Sequence, residues 1–347
     1  MNNTICFPAE WTEQDAVLMA LPHKATDWAD MLGEVQNCFW EIINAITKHD
    51  EPVILLVPDR QNFDEAKHRF SEKVCPVIVP TNDTWARDFC PVFIYKDGVP
   101  VCLDFKFNGW GLKFAADKDN LISGTLACRN IFSEKSGYRN LLNFVLEGGS
   151  LESDGEGTLL TTAQCLLSPN RNGEWNRPQI ETYLKEHLGL SRILWLNSGF
   201  LEGDDTDSHI DTLARFCDTE TITYVKCSSP NDIHFEALAN MEDELKKFCT
   251  PAGKPYRLLP LPMAEPVFFD GERLPATYAN FLIVNKAVLV PTYNSPLDDE
   301  AIKIISSAFP DRKVVGVNCN ALIKQHGSLH CVTMQLPKGS INPNFLA

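Results

Sequence analysis

The sequence predicts a mixed α/β protein, and three observations carry that reading. Short apolar runs rich in β-branched residues recur along the 347 residues, turn-forming residues bound them, and stretches with helical spacing lie between them. The runs expected as strands are residues 53–57, 74–79, 92–95, 158–161, 193–195, 213–216, 222–225, 281–284, 287–290 and 314–315. Helices are expected over residues 31–48, 62–70, 177–187, 233–248 and 297–309. In the fourth, Ala237, Leu238, Met241, Leu245 and Phe248 fall on one face. The runs 281–284 and 287–290 meet across Asn285-Lys286, which reads as a hairpin, so the sheet is not purely parallel. With no Pro/Gly/Ser-rich linker to divide it, the chain reads as a single domain, 1–347.

Composition narrows the function classes. With 46 acidic against 31 basic residues the net charge is −15, which disfavours nucleic acid or an anionic membrane as partner and suits a cationic substrate. The N-terminal run from Met1 to Pro8 has no basic segment followed by an apolar one, and no apolar stretch approaches membrane-spanning length, so a cytoplasmic protein is expected. None of the twelve cysteines has C-x-x-C spacing, and most read as reduced, buried, small hydrophobes.

Four polar segments carry one chemical theme: Asn82 to Asp88, Glu147-Gly148-Gly149-Ser150, Gly203 to Asp211, and Gly327 to Gln335. They supply a thiol (Cys331), a histidine (His209) and several carboxylates, the makings of a nucleophile, a proton shuttle and anions that hold a cation. Gly327 to Gln335 reads as a strand, in which His330 and Cys331 face opposite ways. Asp88 and Glu147 border apolar runs and are costly to bury unless paired; Arg87 is a candidate partner for either. Asp204, Asp205 and Asp207 also suit a solvated acidic turn. No paired-Cys, His-x-x-His or EF-hand spacing favours a metal.

Taken jointly, these segments resemble the guanidine-modifying superfamily, and within it the agmatine deiminase/bacterial peptidyl-arginine deiminase family. The matching stretches are Glu10-Trp11, Asp83 to Asp88, Phe107 to Gly111, Glu147 to Gly149, Asp205 to Asp211, Arg273 to Ala276, Val290 to Thr292 and His330 to Thr333, and they span almost the whole chain. The resemblance implies a five-module α/β propeller with pseudo-fivefold symmetry and a central active site. It implies Cys331 as nucleophile, His209 as general acid/base, Asp88 and Asp211 as the carboxylates on the guanidinium, and Glu147 as a charge partner of His209. Trp85 and Trp110 are candidate substrate-binding residues, and Asp205 is the candidate for an acidic pocket wall that would favour agmatine over arginine by charge. It implies no metal or organic cofactor and a small cationic guanidine as partner; a homo-oligomer stays open. The expected activity is hydrolysis of agmatine to N-carbamoylputrescine and ammonia. The alternatives are deimination of arginine or peptidyl-arginine, amidino transfer, and a non-catalytic or metal-binding protein. The chain departs from the family at Cys90, Ser208 and the segment Gln325-His326-Gly327-Ser328, where glycines are usual, and at Met334, where Gln is common.

Overall fold

The computed structural model describes residues 4–346; Met1, Asn2 and Asn3 of the N-terminal run, and Ala347, lie outside the described residues. One connectivity recurs in five sheets: an inner strand, an antiparallel neighbour, a helix, and a third strand parallel to the neighbour. In the first, Gln14–Ala20 leads through α1 (Leu32–Lys48) into the parallel strand Val53–Val57. The second runs Val92–Lys96, Val99–Lys106, α2 (Ile122–Cys128), Gly137–Val145. The third runs Glu152–Ser153, Thr158–Thr162, α3 (Arg177–Leu188), Arg192–Leu196. The fourth runs Ala214–Phe216, Thr221–Lys226, α4 (Phe235–Leu245), Arg257–Pro262, and the fifth Leu282–Ile283, Ala287–Thr292, α5 (Asp298–Ala308), Lys313–Asn318. The inner strand of the first module comes from the far end of the chain: Met334–Pro337 pairs antiparallel with Gln14–Ala20 and closes the ring. This is the five-module α/β propeller that the resemblance implies.

Local chemistry explains the elements. Helix α1 buries Val35, Cys38, Phe39, Ile42, Ile43 and Ile46, a stripe at helical spacing, and each large apolar side chain on it contributes roughly 1.5–3 kcal/mol on burial. Helix α3 opens with a capping box, Asn176 accepting from the Gln179 N–H while the Gln179 side chain accepts from the Asn176 N–H, and closes on Gly189 in the left-handed region.

Sequence reading missed the strands Gln14–Ala20, Val99–Lys106, Gly137–Val145 and Arg257–Pro262, and helix α2. Two of these strands contain prolines, which argue against a ladder: Pro260 and Pro262 are tolerated on an edge strand paired on one side, and Pro100 lies before the parallel partner begins. The expected strand at Gly327 to Gln335 is also corrected. Residues 329–332 form a turn held by the Thr333 hydroxyl, which donates to the carbonyls of Leu329 and His330, and the strand begins only at Met334. No helix among the described residues is long and apolar enough to cross a membrane.

The module arrangement positions the polar residues. Asp88, Glu147, Asp211, Asn280 and Cys331 each precede the inner strand of a different module by two to five residues, so five loops converge at one end of the axis. Arg215, on an inner strand and fully buried, stitches the centre: Nε donates to Glu152 (2.5 Å), Nη2 to Glu10 (2.8 Å) and Nη1 to the Phe281 carbonyl (2.7 Å). Arg215→Leu strands two buried carboxylates and is expected to cost about 3–5 kcal/mol of stability in denaturant titrations. A loss below about 1 kcal/mol would show that the modules hold without this cluster.

Candidate active site

Cys331 is 5% exposed, in the turn ahead of Met334–Pro337. Its thiol donates to Asn280 Oδ1 at 3.4 Å and stands 3.9 Å from Asp211 Oδ2. Asn280 Oδ1 also accepts the N–H of His330 (2.9 Å) and of Cys331 (3.3 Å), so one side chain fixes the turn that carries the thiol. Burial, then the charges of Asp211 and Asp88, push the Cys331 thiol well above its ordinary value. In the free protein the group is a thiol, not a thiolate.

Asp211 lies in a short 3₁₀ turn, Ile210–Thr212, immediately after His209. Its Oδ2 accepts from His330 Nδ1 at 2.7 Å, and its buried Oδ1 has no hydrogen-bond partner among the described residues. Burial alone would raise this carboxyl; the His330 hydrogen bond and charge reverse that and hold it below the usual range. Asp88 is fixed on both oxygens, accepting from the Gly149 N–H (2.9 Å) and from Trp110 Nε1 (2.8 Å). Burial raises it, His209 pulls it down, and Asp211 and Glu147 raise it further, for a net upward shift.

His209 is buried between carboxylates, with Nε2 2.9 Å from Glu147 Oε2 and Nδ1 3.6 Å from Asp88 Oδ1. Burial opposes its charged form, but Asp88 and its other neighbours outweigh that and raise it well above the ordinary histidine range. The approach is close enough to require the glycines beside Glu147. A Cβ on Gly149 would sit 2.5 Å from His209 Nδ1 and 2.8 Å from Asp88 Oδ1, and one on Gly148 would collide with the Arg87 carbonyl.

Glu147 finds its cation in Arg171, whose Nε lies 2.8 Å from Oε2. Arg171 also donates to Asp207 and to the Thr206 carbonyl, tying the Glu147 loop to the segment that presents His209. The expected pairing of Arg87 with Asp88 or Glu147 is corrected: the Arg87 side chain donates to Gln335 and the His330 carbonyl instead. Glu147, Cys165 and His209 place one ligating atom each within 4.8 Å of one another, around an acid already engaged by Arg171.

The structure brings Cys331, Asp88, Trp85, Trp110 and Asp205 onto one pocket of about 400 Å³ including its open mouth, with Asp27 and Asp83 at its wall as well. Asp211 and His209 lie behind that wall in contact with Cys331 and Asp88, and Glu147 lies against His209. The acidic segment at 204–207 is a structured turn: Asp204 accepts from the Thr206 hydroxyl and the Ser208 N–H, while Asp207 is paired with Lys113 and Arg171. Sequence reasoning missed Arg171, Asn280, Arg215 and the Asp27–Asp83 wall, and gave Glu10 and His330 no place in the network. Glu10 was visible only as part of the Glu10-Trp11 match; a lone Asn or Arg between apolar runs gives no signal of which loop it will meet.

Residues 6–337 match the model of the Porphyromonas-type peptidyl-arginine deiminase family. The chain belongs to that family. It is a hydrolase of guanidino C–N bonds. A solved structure from Porphyromonas gingivalis, provisionally named an arginine deiminase, is 54% identical with a TM-score of 0.91, covering 97% of this chain and 100% of its own. The substrate-bound agmatine deiminase of C. jejuni is 39% identical with a TM-score of 0.91 and 97% coverage of both chains. A relative from Lactococcus lactis, provisionally named an agmatine deiminase, is 34% identical over 354 residues, 95% of each chain.

The electrostatics give a test of the thiol. At pH 7, 2-chloroacetamidine is expected to alkylate Cys331 at least about tenfold faster than the uncharged 2-chloroacetamide, because a cation between Asp88 and Asp211 offsets the charges that hold the proton on sulfur. Equal rates for the two reagents, followed by peptide mass spectrometry, would remove that explanation.

Proposed function

We propose that this chain hydrolyses agmatine to N-carbamoylputrescine and ammonia through an amidino-thioether on Cys331. The observation that carries the reading is the pair Asp88 and Asp211 beside the thiol, with Asp211 Oδ1 unpartnered among the described residues and so free to accept from a guanidinium. A planar guanidinium offers five donors, and two carboxylates position it and polarise its carbon. The substrate's charge offsets Asp211 and Asp88, the thiol gives its proton to solvent, and the sulfur attacks the guanidinium carbon. His209, held charged by Asp88 and Glu147, gives its proton to the departing ammonia. Now neutral, it takes a proton from water, which attacks the amidino-thioether; as the C–S bond breaks, the new hydroxyl gives up its proton, the sulfur returns to the thiol form, and the ureido product leaves.

Substrate choice rests on the rest of the pocket. Its wall carries Asp27, Asp83 and Asp205, acids that attract an ammonium and repel an α-carboxylate. The second reading, arginine or peptidyl-arginine, is favoured by the family description and by the name of the 54% identical P. gingivalis protein. Ammonia release measured side by side on agmatine, arginine and a blocked peptidyl-arginine decides between them.

Asp205→Asn is expected to raise the KM for agmatine about tenfold to a hundredfold, the effect of losing a partly desolvated charge contact, and to narrow the preference over arginine. Burial, then Asp204, pushes Asp205 up to about 6. A bound ammonium favours the ionised form, so agmatine affinity falls as pH drops through about 6, and that limb disappears in Asp205→Asn. An unchanged ratio of kcat/KM values in the variant would return Asp205 to a structural part. Enzyme quenched during turnover is expected to carry an amidino adduct on the Cys331 peptide, while Cys331→Ser stays folded and shows neither adduct nor turnover.

A further inference from the structure

Further along the inner strands lies a second recess, about 580 Å³ including its open mouth, which shares no lining residue with the pocket of Cys331. Two polar side chains on its wall are buried and half satisfied. Arg87, its side chain 4% exposed, donates through Nη1 to Gln335 Oε1 and through Nε to the His330 carbonyl. Its Nη2 has no hydrogen-bond acceptor among the described residues, and Glu10 Oε2 stands off at 3.8 Å. Gln14 is also 4% exposed. Its Nε2 donates to the carbonyls of Glu10 (2.6 Å) and Ile283 (2.9 Å), which fixes the amide's orientation and leaves Oε1 with no donor among the described residues. The strand partner of Gln14 is Pro337, which has no N–H to give.

A buried donor and a buried acceptor on one recess call for an occupant that carries both. Formal charge is balanced around it, Glu10 and Glu152 against Arg87 and Arg215, so an anion meets the carboxylates and a cation meets the guanidinium groups. Phe7, Phe93 and Pro337 supply an apolar wall. We propose that this recess binds a small neutral carboxamide or urea, its oxygen accepting from Arg87 Nη2, its N–H donating to Gln14 Oε1, and a short apolar tail lying on Phe7 and Phe93. The site is distinct from the one that takes guanidines. It adjoins the catalytic turn, because the Arg87 N–H donates to the Cys331 carbonyl at 3.1 Å.

The full-length protein titrated with n-butylurea and butyramide by ligand-observed NMR tests the proposal. Saturable binding is expected for both, at least tenfold tighter than for butyrate and n-butylamine, and unchanged within twofold after Cys331 is alkylated with 2-chloroacetamidine. Gln14→Leu is expected to weaken n-butylurea at least tenfold. Independently of that variant, crystals of the unaltered protein soaked in n-butylurea are expected to show the urea head against Arg87 and Gln14. Loss of binding on alkylation would place the ligand in the guanidine pocket and overturn the proposal. So would equal binding of the charged analogues, or soaked crystals in which the recess holds ordered water alone.

Discussion

Arg215 is the charge on which the centre of the molecule depends. It is fully buried, and Glu152, Glu10 and the carbonyls of Ala279 and Phe281 surround its guanidinium. Burial disfavours its charge, yet the two carboxylates hold its pKa above the ordinary value. From Glu10 the contacts continue through His330 to Asp211, 3.9 Å from the thiol of Cys331. Alternating sign makes this line of buried groups tolerable, since any one of these charges desolvated alone would be far more costly. The line also crosses the modules, so the position of the Cys331 thiol is set by the closure of the ring as a whole.

That closure produces a site prepared for a cation and quiet without one. Asp88 and Asp211 act on the thiol in the same direction as burial, and all three keep the proton on sulfur. On the other side, Asp88 and Glu147 keep a proton on His209. In the mechanism we propose, a guanidinium reverses the first effect by its charge and meets a histidine already loaded with the proton that the leaving group needs. In that mechanism one arrangement of carboxylates both keeps the free thiol protonated and prepares the site for a cationic substrate.

Backbone conformation shows where this arrangement is costly. Trp110, Leu112, Asp207, Ser208 and His326 all have positive φ, in the segments that carry or border the pocket. Each such non-glycine residue costs on the order of 1–2 kcal/mol. Ser208 and His326 each recover a contact through the side chain: Ser208 Oγ with Gln164 Oε1 at 3.1 Å, His326 Nδ1 with the Gly203 carbonyl at 2.7 Å. Trp110 does the same by donating to Asp88.

The sequence by itself determined the α/β class, four of the five module helices, and the polar segments that meet around the pocket of Cys331. Local periodicity and residue type suffice for those, because a helix face or a β-branched run is encoded within a dozen residues. The resemblance supplied the five-module propeller. Strands such as Arg257–Pro262 escaped because their prolines are tolerated only through an edge position that the tertiary sheet creates. Only the tertiary structure decided that Arg171 and not Arg87 answers Glu147, that Asn280 fixes the turn of Cys331, and that His330 bridges Glu10 and Asp211. These partners lie 24 to 320 residues apart along the chain. Charge pairing and desolvation act through space over a few ångströms, and nothing in a residue's sequence neighbourhood records which distant loop will come within that range.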